Sequence, residues 1–189
     1  MSIQQRRERE RAERHRLIVD AARELAEAEG WDAVTTRRLA ERVEYSQPVL
    51  YSHFKGKDAI VRAVAVQGCA DLAELLRAAR TAHRSPAAAL RAVAETYLDF
   101  AATRPALYDA MFVREVDLAF GTADSPPELV AAFTEFVAVV QPLAGDDDVE
   151  TLTEVLWSAL HGQATLHQGR RLRPTHHRAR LDLLLSRFS

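Results

Sequence analysis

A single cysteine, Cys69, stands in the whole chain, so no internal disulfide can form and the staple-dependent class of small secreted domains is excluded. With no cation or histidine close to it in sequence, Cys69 reads as a buried structural thiol rather than a nucleophile. No apolar run approaches the ~20 residues that cross a bilayer, and the opening QQRRERERAERHR lacks the apolar segment of a signal peptide. A soluble, cytoplasmic protein with no membrane partner is expected. Glycine and proline number seven each and fall at breaks, and no run of β-branched residues alternates with polar ones. No internal repeat and no low-complexity linker appear. These absences remove sheets and repeat arrays and leave an all-α chain. Enzyme signatures are missing too: there is no HExxH or ExxH, no glycine-rich phosphate loop and no GxSxG. His161 and His167 are six apart and point to different helix faces, and His176 and His177 are adjacent, so neither pair has the i, i+4 spacing of helical metal ligands. No catalytic residue, metal or cofactor is expected.

What is present is enough for a core, with 48% apolar residues against 28% charged ones. The net charge of −2 argues against a uniformly basic nucleic-acid binder, but the charge is unevenly placed. Arg6, Arg7, Arg9, Arg11, Arg14 and Arg16 crowd the first sixteen residues against Glu8, Glu10 and Glu13, while Asp146, Asp147 and Asp148 form an acidic cluster. By itself the arginine run reads as a solvated, partly disordered tail, since mixed-sign runs are common on exposed helices, and its position next to the stretch YSQPVLYSHF weighs against that.

Leu17, Ala21, Leu25 and Ala28 recur at helical spacing, and Gly30 ends that helix as a C-cap does. The next helix starts at Thr35, whose hydroxyl caps the amides that follow. It carries Leu39, Ala40 and Val43 on its apolar side and ends near Glu44. Ser46 is a second N-cap with Pro48 in the first turn, and this helix runs to about His53. Gly56 breaks the chain, and Lys57 opens a long helix to about Arg80, in which Gly68 suits close packing or a bend. Residues 10–56 thus hold three helices, the last two short and joined by a tight turn, which is the plan of a helix-turn-helix. Farther on, Leu90, Val93, Ala94, Tyr97, Leu98 and Ala101 make a one-sided stripe, and a segment from Pro105 is expected to stay helical up to Gly121. Val130, Phe133, Val137 and Val140 mark the next helix. The acidic trio caps another that bears Val149, Leu152, Leu156, Ala159, Gln163 and Leu166, and Pro174 introduces the last.

The second helix of a helix-turn-helix enters the major groove, with small or polar residues early for base edges and phosphate ligands late. The stretch YSQPVLYSHF fits that division. Gln47 suits an adenine edge, Pro48 and Val49 a thymine methyl, Tyr51, His53 and Lys57 the backbone oxygens, and Leu50 and Phe54 the core. Thr35 and the amides after it offer a second anion site. The competing reading makes Tyr51 and His53 rim residues of a small helical core with the lysines merely solvated.

Thr35-Thr36-Arg37-Arg38-Leu39-Ala40-Glu41, then Ser46, then Leu50-Tyr51-Ser52-His53-Phe54-Lys55-Gly56-Lys57-Asp58-Ala59-Ile60 resembles the DNA-binding domain of the tetracycline-repressor (TetR) family over roughly residues 12–62. The resemblance implies a domain of residues 1–62 that binds double-stranded operator DNA, with Thr35, Thr36, Arg37, Ser46, Gln47, Pro48, Val49, Tyr51, His53 and Lys57 as the contacting set. It also implies a homodimer and a helical domain of residues 63–189 for dimerisation and for a small, largely apolar or aromatic effector. Tyr97-Leu98-Asp99-Phe100-Ala101, Arg104-Pro105-Ala106-Leu107-Tyr108, Met111-Phe112 and Trp157-Ser158-Ala159-Leu160-His161-Gly162 are similar to the branch known for a tryptophan-helix-histidine-glycine signature. Pocket residues implied by the resemblance are Tyr97, Phe100, Tyr108, Met111, Phe112, Phe133, Trp157 and His161, with plain core packing as the competing role. Interface residues are Leu152, Leu156, Ala159, Gln163 and Leu166 on one helix and Leu181, Leu184, Leu185 and Phe188 on the other, with an internal core as the alternative. In the turn, where the family carries glycine and a small aliphatic residue, this chain has Glu44 and Tyr45, at an expected cost of about 1 kcal/mol. The alternative to a ligand-responsive repressor is a helical-bundle ligand-binding or interaction protein without DNA binding.

Overall fold

The computed structural model describes residues 2–188, which form helices and loops in two compact units. The first unit runs to Gly68 and takes in Ala106–Leu118; the second holds Cys69–Pro105 and the residues from Ala119 onward.

The first unit contains α1 (Ile3–Glu29), α2 (Thr36–Arg42), α3 (Gln47–His53), the start of α4 (Lys57–Thr81) and nearly all of α6 (Pro105–Phe112). A capping box starts α1: Ser2 Oγ accepts from the Gln5 amide and Gln5 Oε1 from the Ser2 amide. Gly30, at φ +83°, ends it and returns its N–H to the Ala26 carbonyl at 2.8 Å. The stripe that packs is Ile18, Val19, Ala22, Leu25 and Ala26. Of the stripe read in the sequence Ala21 and Leu25 are buried, whereas Leu17 is 46% exposed and Ala28 is exposed, with Ile18, Val19, Ala22 and Ala26 completing the inward face instead. The inward face thus carries three bulky side chains, Ile18, Val19 and Leu25, and three alanines, Ala21, Ala22 and Ala26.

Three contacts tie α6 into this unit. Glu27 accepts from the Ala106 and Leu107 amides at 3.1 and 2.9 Å, satisfying first-turn donors that lack intrahelical partners. The Trp31 indole donates to the Ala106 carbonyl at 2.8 Å. Gly68 packs against α6 so closely that a Cβ would stand 2.6 Å from Met111 Sδ and 2.7 Å from Leu107 Cδ1. Of the two roles read for Gly68, close packing is the one the structure shows. The segment after Phe112 is not helical, contrary to expectation. The amides of Val113 and Arg114 both return to the Asp109 carbonyl, and Arg114 Nε holds Asp109 Oδ2 at 3.1 Å, which closes the helix there.

The second unit is built on α5 (Pro86–Thr103), against which α7 (Pro127–Val140), α8 (Val149–Gln168) and α9 (His177–Leu185) pack. Leu90, Val93, Tyr97 and Phe100 of α5 are buried together with Leu72 and Leu76 of α4. Asp148 caps α8, accepting from the Thr151 amide at 2.8 Å, and that bond holds its carboxyl below the usual range. Two buried faces differ from the sequence reading. On α7 it is Leu129, Ala132, Phe136, Val139 and Val140, leaving Val130 51% exposed. On α8 it is Thr153, Leu156, Leu160 and Ala164. Ser46 and Ser85 stand at N-cap positions with extended backbone, yet neither side chain accepts a capping bond.

Candidate nucleic-acid interface

α2 and α3 are short because each is bounded by chain chemistry. Thr35 caps α2, its hydroxyl accepting from the Arg38 amide at 3.2 Å. At the other end the Tyr45 amide reaches back to the Ala40 carbonyl at 2.9 Å and the Glu44 amide to Glu41 at 3.4 Å, the two bonds of a Schellman stop, with Glu44 at φ +56° where glycine is usual. α3 begins at Gln47 with Pro48 in its first turn and ends before Phe54. Seven residues rise about 10 Å, a length that a major groove about 12 Å wide accepts.

The face α3 buries is Leu50 and Phe54. The opposite face is open: Ser46, Gln47, Pro48, Tyr51, Ser52 and Lys55 are exposed, Val49 and His53 half-buried. Tyr51, 53% exposed, places its hydroxyl 3.3 Å from Thr36 Oγ1, so α2 and α3 contribute adjacent polar groups to one surface. Arg37 is exposed beside them in an i, i+4 pair with Glu41 at 3.0 Å. Two other cations of this region are structural. Arg38 grips both oxygens of Glu29 at 2.8 and 2.7 Å, which lowers the Glu29 carboxyl below its ordinary range, and Arg42 holds Glu24 at 2.8 Å; both tie α2 to α1. Lys57 is likewise engaged, its ammonium donating to the Trp31 carbonyl, so this group of the expected set is turned to the fold.

Sequence reasoning missed His15. Its ring lies 4.5 Å from Phe54 and 6.5 Å from His53, making a small aromatic cluster at the end of α3. Burial, then the nearby Arg11 guanidinium, pushes the pKa of both histidines down.

The C-terminal residues divide. Tyr97, Phe100, Phe133, Trp157 and His161 lie in the second unit, whereas Tyr108, Met111 and Phe112 lie in the first, where the Tyr108 and Phe112 rings meet at 5.2 Å. Within the second unit Trp157 Nε1 donates to the buried Tyr97 hydroxyl at 3.0 Å, Tyr97 meets Phe136 edge to face at 5.5 Å, and the Trp157 and His161 rings are 6.0 Å apart. Burial lowers the His161 pKa. Phe133 is half-buried and Phe100 lies beneath the Arg104 guanidinium at 4.9 Å. An open cleft of about 600 Å³ lies between α5, α8 and α9, lined by Leu98 and Leu181 with Asp99, Gln163, His167 and Arg178. None of the eight aromatic or sulfur-bearing residues borders it. Of the interface set, Leu156, Leu181, Leu185 and Phe188 are buried inside the unit, Leu152, Ala159, Gln163 and Leu184 are half-buried, and Leu166 is 43% exposed.

An all-helical chain with a capped helix-turn-helix and an open second-helix face is the architecture of a bacterial DNA-binding regulator. Residues 18–64 match the model of bacterial regulatory proteins of the tetR family, and residues 90–188 match that of the tetracyclin repressor-like C-terminal domain. The chain is 30% identical to the uncharacterised HTH-type transcriptional regulator YobS of Bacillus subtilis strain 168, over 80% of this chain and 77% of that one. Its fold is similar to that of a protein of unknown function from Rhodococcus sp. RHA1 (TM-score 0.76, 22% identity, 92% of each chain). It is also similar to a point variant of TetR from Acinetobacter baumannii AYE solved in complex with minocycline (TM-score 0.64, 22% identity, 90% of this chain and 93% of that one). The chain belongs to the TetR family of helix-turn-helix transcriptional regulators, and it is a DNA-binding regulator.

Proposed function

We propose that this regulator is a cytoplasmic repressor that binds a two-fold operator as a homodimer and leaves it when a small, largely apolar or aromatic effector binds. In this reading residues 1–62 carry the DNA contacts and residues 63–189 carry dimerisation and the effector. The observation that supports it best is the two-sidedness of α3: Leu50 and Phe54 are buried while Gln47, Pro48 and Tyr51 stand open beside Thr36. Gln47, Pro48 and Val49 then meet base edges and Tyr51, His53, Thr36 and Arg37 meet phosphates.

Dimerisation through α8 and α9 is supported by exposed apolar side chains on both helices, Val155 and Leu166 on α8 and Leu183 on α9. The aromatic group of Tyr97, Phe136, Trp157 and His161 supports an aromatic effector, the class to which minocycline belongs in the Acinetobacter complex. The same Trp157, His161 and Gly162 favour the tryptophan-helix-histidine-glycine branch. The cleft beside Asp99, His167 and Arg178 favours a second reading, a more polar effector seated between α5, α8 and α9.

The test is selection of genomic duplex fragments by the purified protein, followed by anisotropy titrations over a range of salt. A sequence-selective complex whose affinity falls steeply with salt is expected. No complex with any duplex would leave the helical-bundle binding protein as the better reading.

A further inference from the structure

The first half of α1 is a helix without a core beneath it. From Ser2 to Leu17 every residue is exposed except the half-buried Glu10, and burial begins only at Ile18. This half is held by its capping box and by i, i+4 ion pairs, Arg6–Glu10 at 3.1 Å and Arg9–Glu13 at 3.4 Å, each a matter of tenths of a kcal/mol.

Those pairs lie on one side of the helix. On the other side, Arg7, Arg11 and Arg14 follow at i, i+4 and i+7 and lead into Ile18, Ala22 and Leu25, so they share the stripe that packs on the helix-turn-helix. Arg7 and Arg11 enter no ion pair among the described residues, and Arg14 has only Glu10, at 4.0 Å. His15, one residue beyond Arg14, touches Phe54 and faces His53, which fixes this stripe at the C-terminal end of α3. From Ile18 back to Arg7 the helix rises about 16 Å, the axial rise of roughly five phosphates on one DNA strand.

We propose that the open half of α1 is a second duplex-binding surface, in which Arg7, Arg11 and Arg14 lie along phosphates next to those met by α3. It rests on the DNA-binding reading above. Glu13 is held by Arg9, Glu10 lies between Arg6 at 3.1 Å and Arg14 at 4.0 Å, and Glu8 accepts from Gln4, so the acids of this half are engaged within the helix while Arg7 and Arg11 stay exposed. The surface adds affinity and no base preference.

The experiment measures binding of the full chain to a mixed-sequence 30-base-pair duplex between 50 and 400 mM NaCl, for the wild type, R7A/R11A, R7K/R11K and the far-side pair R6A/R9A, with melting curves for each. Two phosphate contacts account for about 1.8 in the slope of log K against log salt, a loss of up to roughly 60-fold at 0.1 M. R7A/R11A should show that drop with melting unchanged, while R7K/R11K keeps the wild-type slope and R6A/R9A stays within about 0.5 of it. A slope unchanged in R7A/R11A, or an equal drop in R6A/R9A, overturns the proposal while leaving DNA binding by α3 intact. A flat wild-type response overturns the DNA-binding reading itself.

Discussion

Replacing Glu44 by glycine should make the protein more stable and a tighter DNA binder. Glu44 holds φ +56° at the stop of α2, where the amides of Glu44 and Tyr45 close the turn onto Glu41 and Ala40. A residue with a Cβ in that conformation costs about 1–2 kcal/mol. Glycine removes the cost but adds freedom to the unfolded chain, worth about 0.4–1 kcal/mol in the other direction. The balance is roughly 0.5–1 kcal/mol in favour of Glu44→Gly, which for a chain of this size raises the melting temperature by about 1–4 °C. The carboxylate also stands between α2 and the first residue of the recognition surface, so its loss should tighten duplex binding. Glu44→Gln separates the two effects, because it keeps the Cβ and removes the charge: affinity should rise as in the glycine variant with melting unchanged. Thermal melts and anisotropy titrations of the three proteins decide it. A glycine variant that melts below the wild type refutes the strain argument, and a glutamine variant that gains as much stability assigns the cost to charge instead.

Gly68→Ala sets a helix-propensity gain of about 1 kcal/mol against overpacking of about 1–3 kcal/mol, since the new methyl would meet Met111 Sδ and Leu107 Cδ1 at 2.6 and 2.7 Å; melting should fall, and Leu107→Ala in the same chain should restore part of it. Thr35→Ala removes the cap of the Arg38 amide and should cost about 1 kcal/mol by chemical denaturation, with Thr35→Ser near wild type. Cys69, pushed up to about 12 by burial and by the Glu128 charge, should be inert to a disulfide reagent at pH 8 in the native state and react at once in denaturant. His15, His53 and His161 are all shifted down by burial, so their neutral forms are favoured in the fold; stability should be full above the ordinary histidine value of about 6.5 and decline as pH falls through the lower folded values, and melts of His15→Gln should decline less.

The helix-turn-helix was legible because its signals are local. A threonine cap, a proline in a first turn and the Leu50–Phe54 spacing each act within four residues, and each element sits where they put it. Faces were less legible where apolar residues nearly encircle a helix. In α7 the run LVAAFTEFVAVV offers Val130–Phe133–Val137–Val140 and Leu129–Ala132–Phe136–Val140 alike; Val140 belongs to both, and only tertiary packing chooses the second. The early end of α6 was hidden because Asp109 and Arg114 close it through side-chain geometry that a hydrophobic pattern does not carry. His15 was missed for a related reason: it is an isolated histidine in a charged run, and its role exists only because Phe54 arrives from 39 positions later in the chain. Lys57, placed for phosphate by sequence, also makes a contact that the pattern does not carry, its ammonium donating to the Trp31 carbonyl.

The contacts around α6 bear on how much free energy an effector would need. The chain leaves the first unit after Gly68, and on its return at Ala106 it is received by the Glu27 carboxylate, the Trp31 indole and the gap left by Gly68. Coupling between an effector and DNA amounts to about 1–3 kcal/mol in most allosteric proteins. A hydrogen bond to a charged group is worth about 1.5–3 kcal/mol, so the loss of Glu27's hold on the Ala106 and Leu107 amides is by itself a change of that size. No broad rearrangement of the helix-turn-helix is then required. If the proposed effector acts through the first unit, loss of those two amide bonds would be enough to free the first turn of α6 from the helix that carries both His15 and the arginine face.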